Sequence, residues 1–152
     1  MNPARHLGAG AALGAGFYLA SGDPASAAAL GAGCFILDAD HIFDYLRDQG
    51  FRKSLALLRE GAVGGRRIKL RRLYLWFHSW DALLALAVYS FFFLENRPLM
   101  ALLAGAAVHL GMDQIGNRGA RGLTYILAYR IWKGFRREDI VADEPGGMEM
   151  EG

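Results

Sequence analysis

The sequence predicts an all-α protein: an integral membrane four-helix bundle with an additional short amphipathic surface helix. Three observations carry the prediction. Apolar residues make up 53% of the 152 residues and charged residues only 21%, which excludes a disordered or fibrous chain. The charges are also segregated. Leu7 to Gly22 and Pro24 to Leu37 carry none, Leu73 to Leu94 carries only Asp81, and Pro98 to Asn117 carries only Asp113. A membrane-spanning helix needs about 20 mostly apolar residues, within a range of about 17–25. The last two stretches reach that length outright, and the first two reach it with their polar ends included. Finally, Tyr89-Ser90-Phe91-Phe92-Phe93-Leu94 puts apolar side chains on every face of a helix, which argues against the competing expectation of a soluble bundle.

The elements follow in order. Helix one is expected over about 5–20, and Gly10-x-x-x-Gly14 within it suits close helix packing in lipid. Ser21-Gly22-Asp23-Pro24 reads as a tight turn. Helix two is expected over about 25–47. A basic stretch follows, partly helical from Lys53 to Glu60, and runs through Gly61 to Gly65. Helix three is expected over about 72–94, with Glu95-Asn96-Arg97-Pro98 as the second turn. Helix four is expected over about 98–114. A shorter segment, about 122–135, alternates apolar and basic residues and is expected along the surface. Residues 1–137 thus form one domain, and the acidic residues 138–152 read as a solvated tail. The first segment has an alternative as a signal peptide, with Arg5 leading, Leu7 to Ala20 as the apolar core and Ala25-Ser26-Ala27 as the cleavage site.

The basic residues set the orientation. Nine of the 17 lie between Arg47 and Arg72, so that stretch belongs in the cytoplasm by the positive-inside rule. Both turns then lie outside, both termini inside, and a bacterial inner membrane is the expected location. The single cysteine, Cys34, excludes a disulfide framework and a Cys-based zinc finger.

With this topology the polar residues converge. His6 starts helix one. Asp38, Asp40, His41 and Asp44 end helix two. His78 and Asp81 open helix three, and His109 and Asp113 close helix four. All four groups fall at one membrane depth, on the cytoplasmic side, although the orientation rests on Lys and Arg alone. Ionisable groups near lipid are costly and are relieved by pairing or by a cation. Four imidazoles and five carboxylates exceed what one tetrahedral ion takes. The expected ligands of a divalent metal, zinc foremost and one or two ions, are His6, Asp38, Asp40, His41, His78, His109 and Asp113. Asp44 and Asp81 are the candidate general bases or partners that orient a ligand. A plain reading of each pair as a hydrogen bond in a polar core stands beside this one.

These blocks resemble the YdjM-like family of inner-membrane, metal-dependent hydrolases over about residues 1–117. The shared pattern is His6, Asp38-Ala39-Asp40-His41, His78-Ser79 and His109-Leu110-Gly111-Met112-Asp113. The chain departs from it at Leu37 (often Pro in the family), at Leu73 (often His) and at Gln114-Ile115 (often Thr-Pro). The family is similar in its His/Asp usage to the all-helical zinc phospholipase C and nuclease group. That resemblance implies phosphoester hydrolysis.

The expected activity is therefore a membrane metallohydrolase acting on a phospholipid-like phosphoester at the cytoplasmic face. Membrane lipids are the expected partners, and Arg66, Arg67, Lys69, Arg71 and Arg72 stand ready for an anionic head group or substrate phosphate. Topology determination alone accounts for that cluster equally well. The rivals are a non-catalytic metal or proton carrier, a haem protein using His78 and His109, and a scaffold for a soluble partner. Nucleic-acid binding is disfavoured, because Phe51 is the sole aromatic residue in the basic stretch.

Overall fold

A computed structural model describes residues 3–59, 72–117 and 122–141. Among these the chain is mainly helical and forms no strand. The helices are α1 (Pro3–Ser21), α2 (Pro24–Ile36), α3 (Ala39–Gln49), α4 (Phe51–Arg59), α5 (Trp80–Phe93), α6 (Arg97–Gly116), α7 (Leu127–Trp132) and α8 (Arg137–Ile140). Arg72 and Arg136 form an isolated antiparallel bridge.

Local chemistry explains the helix starts. The Asp23 carboxylate accepts the Ala25 and Ser26 N–H groups while Pro24 opens α2. Asn96 accepts the Leu99 N–H at the start of α6, and Pro98 again lies in the first turn. Gly22, at φ 67°, makes the reversal between α1 and α2 without strain.

Helix α2 lies between α1 and α6, and small residues make both crossings close. A Cβ on Gly10 or Gly14 would press on the backbone carbonyls of Gly31 or Ala27. A Cβ on Gly33 would collide with Leu102 O, and one on Gly105 with Leu30 O. The Gly10-x-x-x-Gly14 pattern is therefore a contact face. A small apolar core of Leu37, Ala106, Leu110 and Tyr125, with Trp80 and Leu83 against it, sits at the end where α2 and α6 finish. The outer face of α5 covers nothing: Leu84, Phe91, Phe92 and Phe93 are all exposed.

Three expectations change. The second helix is not continuous over 25–47. Asp38 N–H bonds to Phe35 O and Asp40 N–H to Leu37 O, a tightened turn that separates α2 from α3. The third helix begins at Trp80 rather than near residue 72. Residues 73–79 form an irregular segment held mainly by distant groups: Asp44 and Asp40 accept its N–H groups and Arg130 bonds its carbonyls, while within the segment His78 N–H returns to Leu75 O. The surface helix expected over 122–135 shrinks to the six residues of α7, and Gly134 and Phe135, both at positive φ, turn the chain just after it. Arg130 within it is fully buried, so α7 does not simply lie along the surface.

Two stretches, Pro24–Asp48 and Arg97–Gly116, are long and apolar enough to cross a membrane. Helix α5 is apolar but has 14 residues, about 21 Å at 1.5 Å per residue. The chain also stays packed beyond residue 137: Ile140 is fully buried, and its carbonyl accepts the Thr124 hydroxyl at 2.6 Å. Residues 142–152, the rest of the expected tail, lie outside the described residues, as do Arg66, Arg67, Lys69 and Arg71 of the basic cluster.

Candidate metal centre

The close crossings bring the polar ends of four segments together. His6 lies one turn before Gly10 on α1, and His109 lies one turn after Gly105 on α6. The turn between α2 and α3 delivers Asp38 and His41, and the irregular segment before α5 delivers His78. His6, His78, His109 and Asp113 are all buried, whereas Asp38 and His41 are partly exposed. The open side of the cluster is therefore the turn between α2 and α3.

Ligand atoms meet in three overlapping groups: His6, Asp38 and His109; Asp38, His41 and His78; and His78, His109 and Asp113. Within each group the atoms lie within 4.8 Å of one another. Asp38 joins the first two groups, and the two histidines His78 and His109 link them to the third. Any of these buried groups could hold a metal ion.

The contacts are specific. His6 Nε2 is 3.1 Å from Asp113 Oδ1, and the His6 ring stacks on the His109 ring at 3.9 Å. His6 Nδ1 is buried with no hydrogen-bond partner among the described residues. The Nδ1 of His109 lies 2.8 Å from Cys34 O, and a carbonyl can only accept. Nδ1 therefore carries a proton, and in the neutral ring Nε2 carries a lone pair. The Nδ1 of His78 lies 3.2 Å from Asp40 Oδ2, and a carboxylate assigns the tautomer in the same way. Yet the two Nε2 atoms face each other at 3.2 Å. Asp113 Oδ2 stands 3.6 Å from His109 Nε2 and 3.9 Å from His78 Nε2. Two imidazole nitrogens and a carboxylate oxygen thus converge within 4.8 Å of one another.

No family model, curated protein or solved structure matches the chain. The reading of the cluster therefore rests on its own geometry.

Three of the expected site residues fall outside the three groups. Asp40 Oδ2 is taken up by the N–H groups of Phe77 and His78, at 2.6 and 3.2 Å, as well as by the His78 ring. It orients a candidate ligand. Asp44 Oδ2 accepts the Tyr74 and Leu75 N–H groups at 3.0 and 3.3 Å. Asp81 lies away from the cluster; its two oxygens accept the Leu127 and Ala128 N–H groups at 2.8 and 2.9 Å, so it caps α7. Both candidate bases thus hold backbone.

One residue that matters here was not singled out in the sequence. Arg130 donates from Nη2 to Leu75 O at 2.8 Å, and from Nη1 to His78 O at 3.0 Å and Thr124 O at 3.2 Å. Burial pulls its guanidinium below its ordinary pKa, and the nearby carboxylates Asp81, Asp40 and Asp44 oppose that pull. Leu75 is held in the left-handed region, at φ 43°, with its N–H on Asp44 and its C=O on Arg130. That conformation is unfavourable for a residue with a Cβ, and the two charged partners maintain it. The carbonyl of Cys34, at the end of the α2–α6 crossing, was likewise silent in the sequence. No local pattern marks either group: Arg130 is one of six basic residues between 118 and 137.

Proposed function

We propose that the chain is a membrane-embedded, metal-dependent hydrolase of the YdjM-like kind, acting on a phosphoester at the cytoplasmic face. The observation that carries the reading is the convergence of His78 Nε2, His109 Nε2 and an Asp113 carboxylate oxygen within 4.8 Å of one another. The donor set of imidazole and carboxylate suits a zinc-class ion. His6, Asp38, His41, His78, His109 and Asp113 are the residues that would hold one or two such ions. A bound ion of this class lowers the pKa of a water toward about 7 and polarises a phosphoryl oxygen.

The protein's own groups then divide the work. Asp40 and the Cys34 carbonyl keep the Nδ1 protons of His78 and His109, so that both Nε2 atoms stay free as donors to an ion. Asp38 is the cluster carboxylate with solvent access, its side chain 25% exposed. Arg72 is exposed and lines a pocket with Asp44, Arg47 and Tyr74, where its charge suits an anionic group.

The membrane setting is supported by the two apolar stretches and by the exposed Phe91, Phe92 and Phe93 of α5. Trp76 and Trp132, both exposed near the cluster end, suit a membrane–water interface. A second reading, a metal-binding protein without chemistry, draws on a specific fact. The two carboxylates expected to act as bases are both spent on backbone N–H groups.

The test is elemental analysis of protein purified in detergent without chelator, followed by hydrolysis assays on a chromogenic phosphodiester and on phospholipid vesicles. Zinc or a related ion at about one or two per chain, with turnover abolished by chelator and by Asp38→Asn, is the expected result. Metal below about 0.2 per chain after reconstitution would remove both readings. Full metal with no turnover on either substrate would leave the binding protein.

A further inference from the structure

Helix α4 begins where a candidate membrane span ends. Only Gln49 and Gly50 separate the stretch Pro24–Asp48 from Phe51, the first residue of α4. Gly50, at φ 77° and ψ 162°, breaks the helix there, so α4 is free to leave the direction of α3. In a chain that crosses a bilayer, a helix starting at that point lies at the membrane–water boundary. We propose that α4 is an anchor in that boundary, with Phe51 and Leu55 among the acyl chains and its bases on an anionic lipid surface. The inference rests on the membrane reading but not on the metal centre or on hydrolysis.

Burial settles which way α4 faces. Ser54 is its inward side, only 1% exposed, and its hydroxyl returns to Gly50 O at 2.8 Å. Phe51 is 71% exposed and Leu55 37%. Residues four apart share a helix face, so these two form one exposed apolar ridge. Phe43 on α3, also exposed, adds a further aromatic ring beside the same turn of chain.

Charge decides what the ridge enters. Among the described residues, α3 and α4 expose three bases, Arg47, Arg52 and Lys53, against one acid, Asp48. No acid occurs between Gln49 and Arg59. At 100° per residue Arg52 borders the ridge, and Lys53 lies across the helix from it. A helix is about 10–12 Å across, close to the Debye length of about 8–10 Å. Both charges therefore feel the potential of a surface that the ridge enters. The Arg47 guanidinium lies 4.4 Å over the Tyr74 ring, which fixes a third positive charge at the end of α3. An apolar ridge with bases beside and behind it is the pattern of a helix lying in an anionic interface. An acidic protein partner would match the charges as well, but the place of α4 at the end of a span sets it against lipid before any partner arrives.

The experiment uses the full chain in nanodiscs. Phe51→Cys is labelled with an environment-sensitive NBD fluorophore; the one native thiol, Cys34, is fully buried and is spared. The discs are made of phosphatidylcholine alone or of phosphatidylcholine mixed with phosphatidylglycerol. Both contain phosphatidylcholine spin-labelled near the ester end of its acyl chain, which quenches a fluorophore that enters the interface. The ratio of docked to free α4, read from the quenching, should be at least about fivefold higher in the anionic disc. Leu55→Cys, labelled in the same way, should report the same difference, so the result does not hang on the replaced ring. With the label at position 51, Arg52→Gln should lower the ratio about fivefold in the anionic disc, and Lys53→Glu should return it to the phosphatidylcholine value. Both residues are exposed, so neither change disturbs the packed interior. Equal quenching in the two discs would overturn the proposal. So would a label that stays in water in both, which would leave the ridge to a soluble partner. A chain that enters neither disc would remove the membrane reading and this proposal together. Metal content measured on the same samples keeps the hydrolase reading a separate question.

Discussion

Arg130→Met removes a buried guanidinium while keeping an unbranched side chain of similar reach. Three hydrogen bonds go with it, to the carbonyls of Leu75, His78 and Thr124, at 2.8–3.2 Å. A hydrogen bond to a charged group contributes about 1.5–3 kcal/mol, but burying the charge offsets much of the sum. Truncating one member of a buried charged network costs about 3–5 kcal/mol, because the partners are left behind. Here the partners are three buried carbonyls and the neighbouring carboxylates Asp40 and Asp44. For a chain of this size each kcal/mol lowers Tm by about 2–4 °C, so a drop of about 6–20 °C is expected. The loss is not only global. Leu75 is held at φ 43° between Asp44 and Arg130, and once the clamp is gone the turn is free to relax and carry His78 with it. Metal affinity should then fall about 10- to 100-fold, as when a partner that orients a ligand is lost. Arg130→Lys keeps the charge but not the planar fork that reaches three carbonyls, so it should rescue stability partly and affinity little. Thermal unfolding by circular dichroism in detergent, with and without chelator, reads the first effect, and competition with a chromogenic zinc chelator reads the second. A Tm loss below about 2 °C would refute the clamp. A full Tm loss with unchanged zinc affinity would refute its coupling to His78.

Three further outcomes follow from the geometry. Gly105→Val places side-chain atoms where Leu30 O lies and should force α6 away from α2; a severe loss of folded protein is expected, whereas Gly111→Ala, with open space around it, should be tolerated. His41→Ala and His109→Ala should each empty much of the metal centre, and the double variant should lose little more than either alone, because members of one site are not additive; strictly additive stability losses with no change in metal would mark a polar core instead. Burial pushes the Tyr125 phenol up to about 12, so the folded protein keeps its proton where the unfolded chain loses it. That stabilising contribution is complete below about pH 10 and lost as pH rises toward about 12, roughly 3 kcal/mol in all, and Tyr125→Phe should remove this part of the alkaline sensitivity in pH-dependent unfolding.

Much of the architecture is written locally. The Asp23-Pro24 and Asn96-Arg97-Pro98 signals stop one helix and start the next, and α1 and α6 appear within a few residues of their expected bounds, while the expected second helix breaks near its middle into α2 and α3. Hairpins between such helices necessarily return His6, the Asp38–His41 block, His78 and His109 to one end. For that reason a cluster of histidine and aspartate was legible before any contact was known. The pairings inside it were not. Apolar periodicity cannot distinguish residues 73–79 from the helix that follows them. What keeps them out of that helix is a set of bonds from residues some 30 to 55 positions away, with Asp40 and Asp44 taking the N–H groups and Arg130 the carbonyls. The same long-range chemistry turned Asp81 from an expected base into the cap of α7, and drew one arginine of a basic surface segment into the interior. Side chains bonding to distant backbone leave no period in a sequence, so these assignments belonged to the tertiary structure. It alone set the two Nε2 atoms of His78 and His109 face to face.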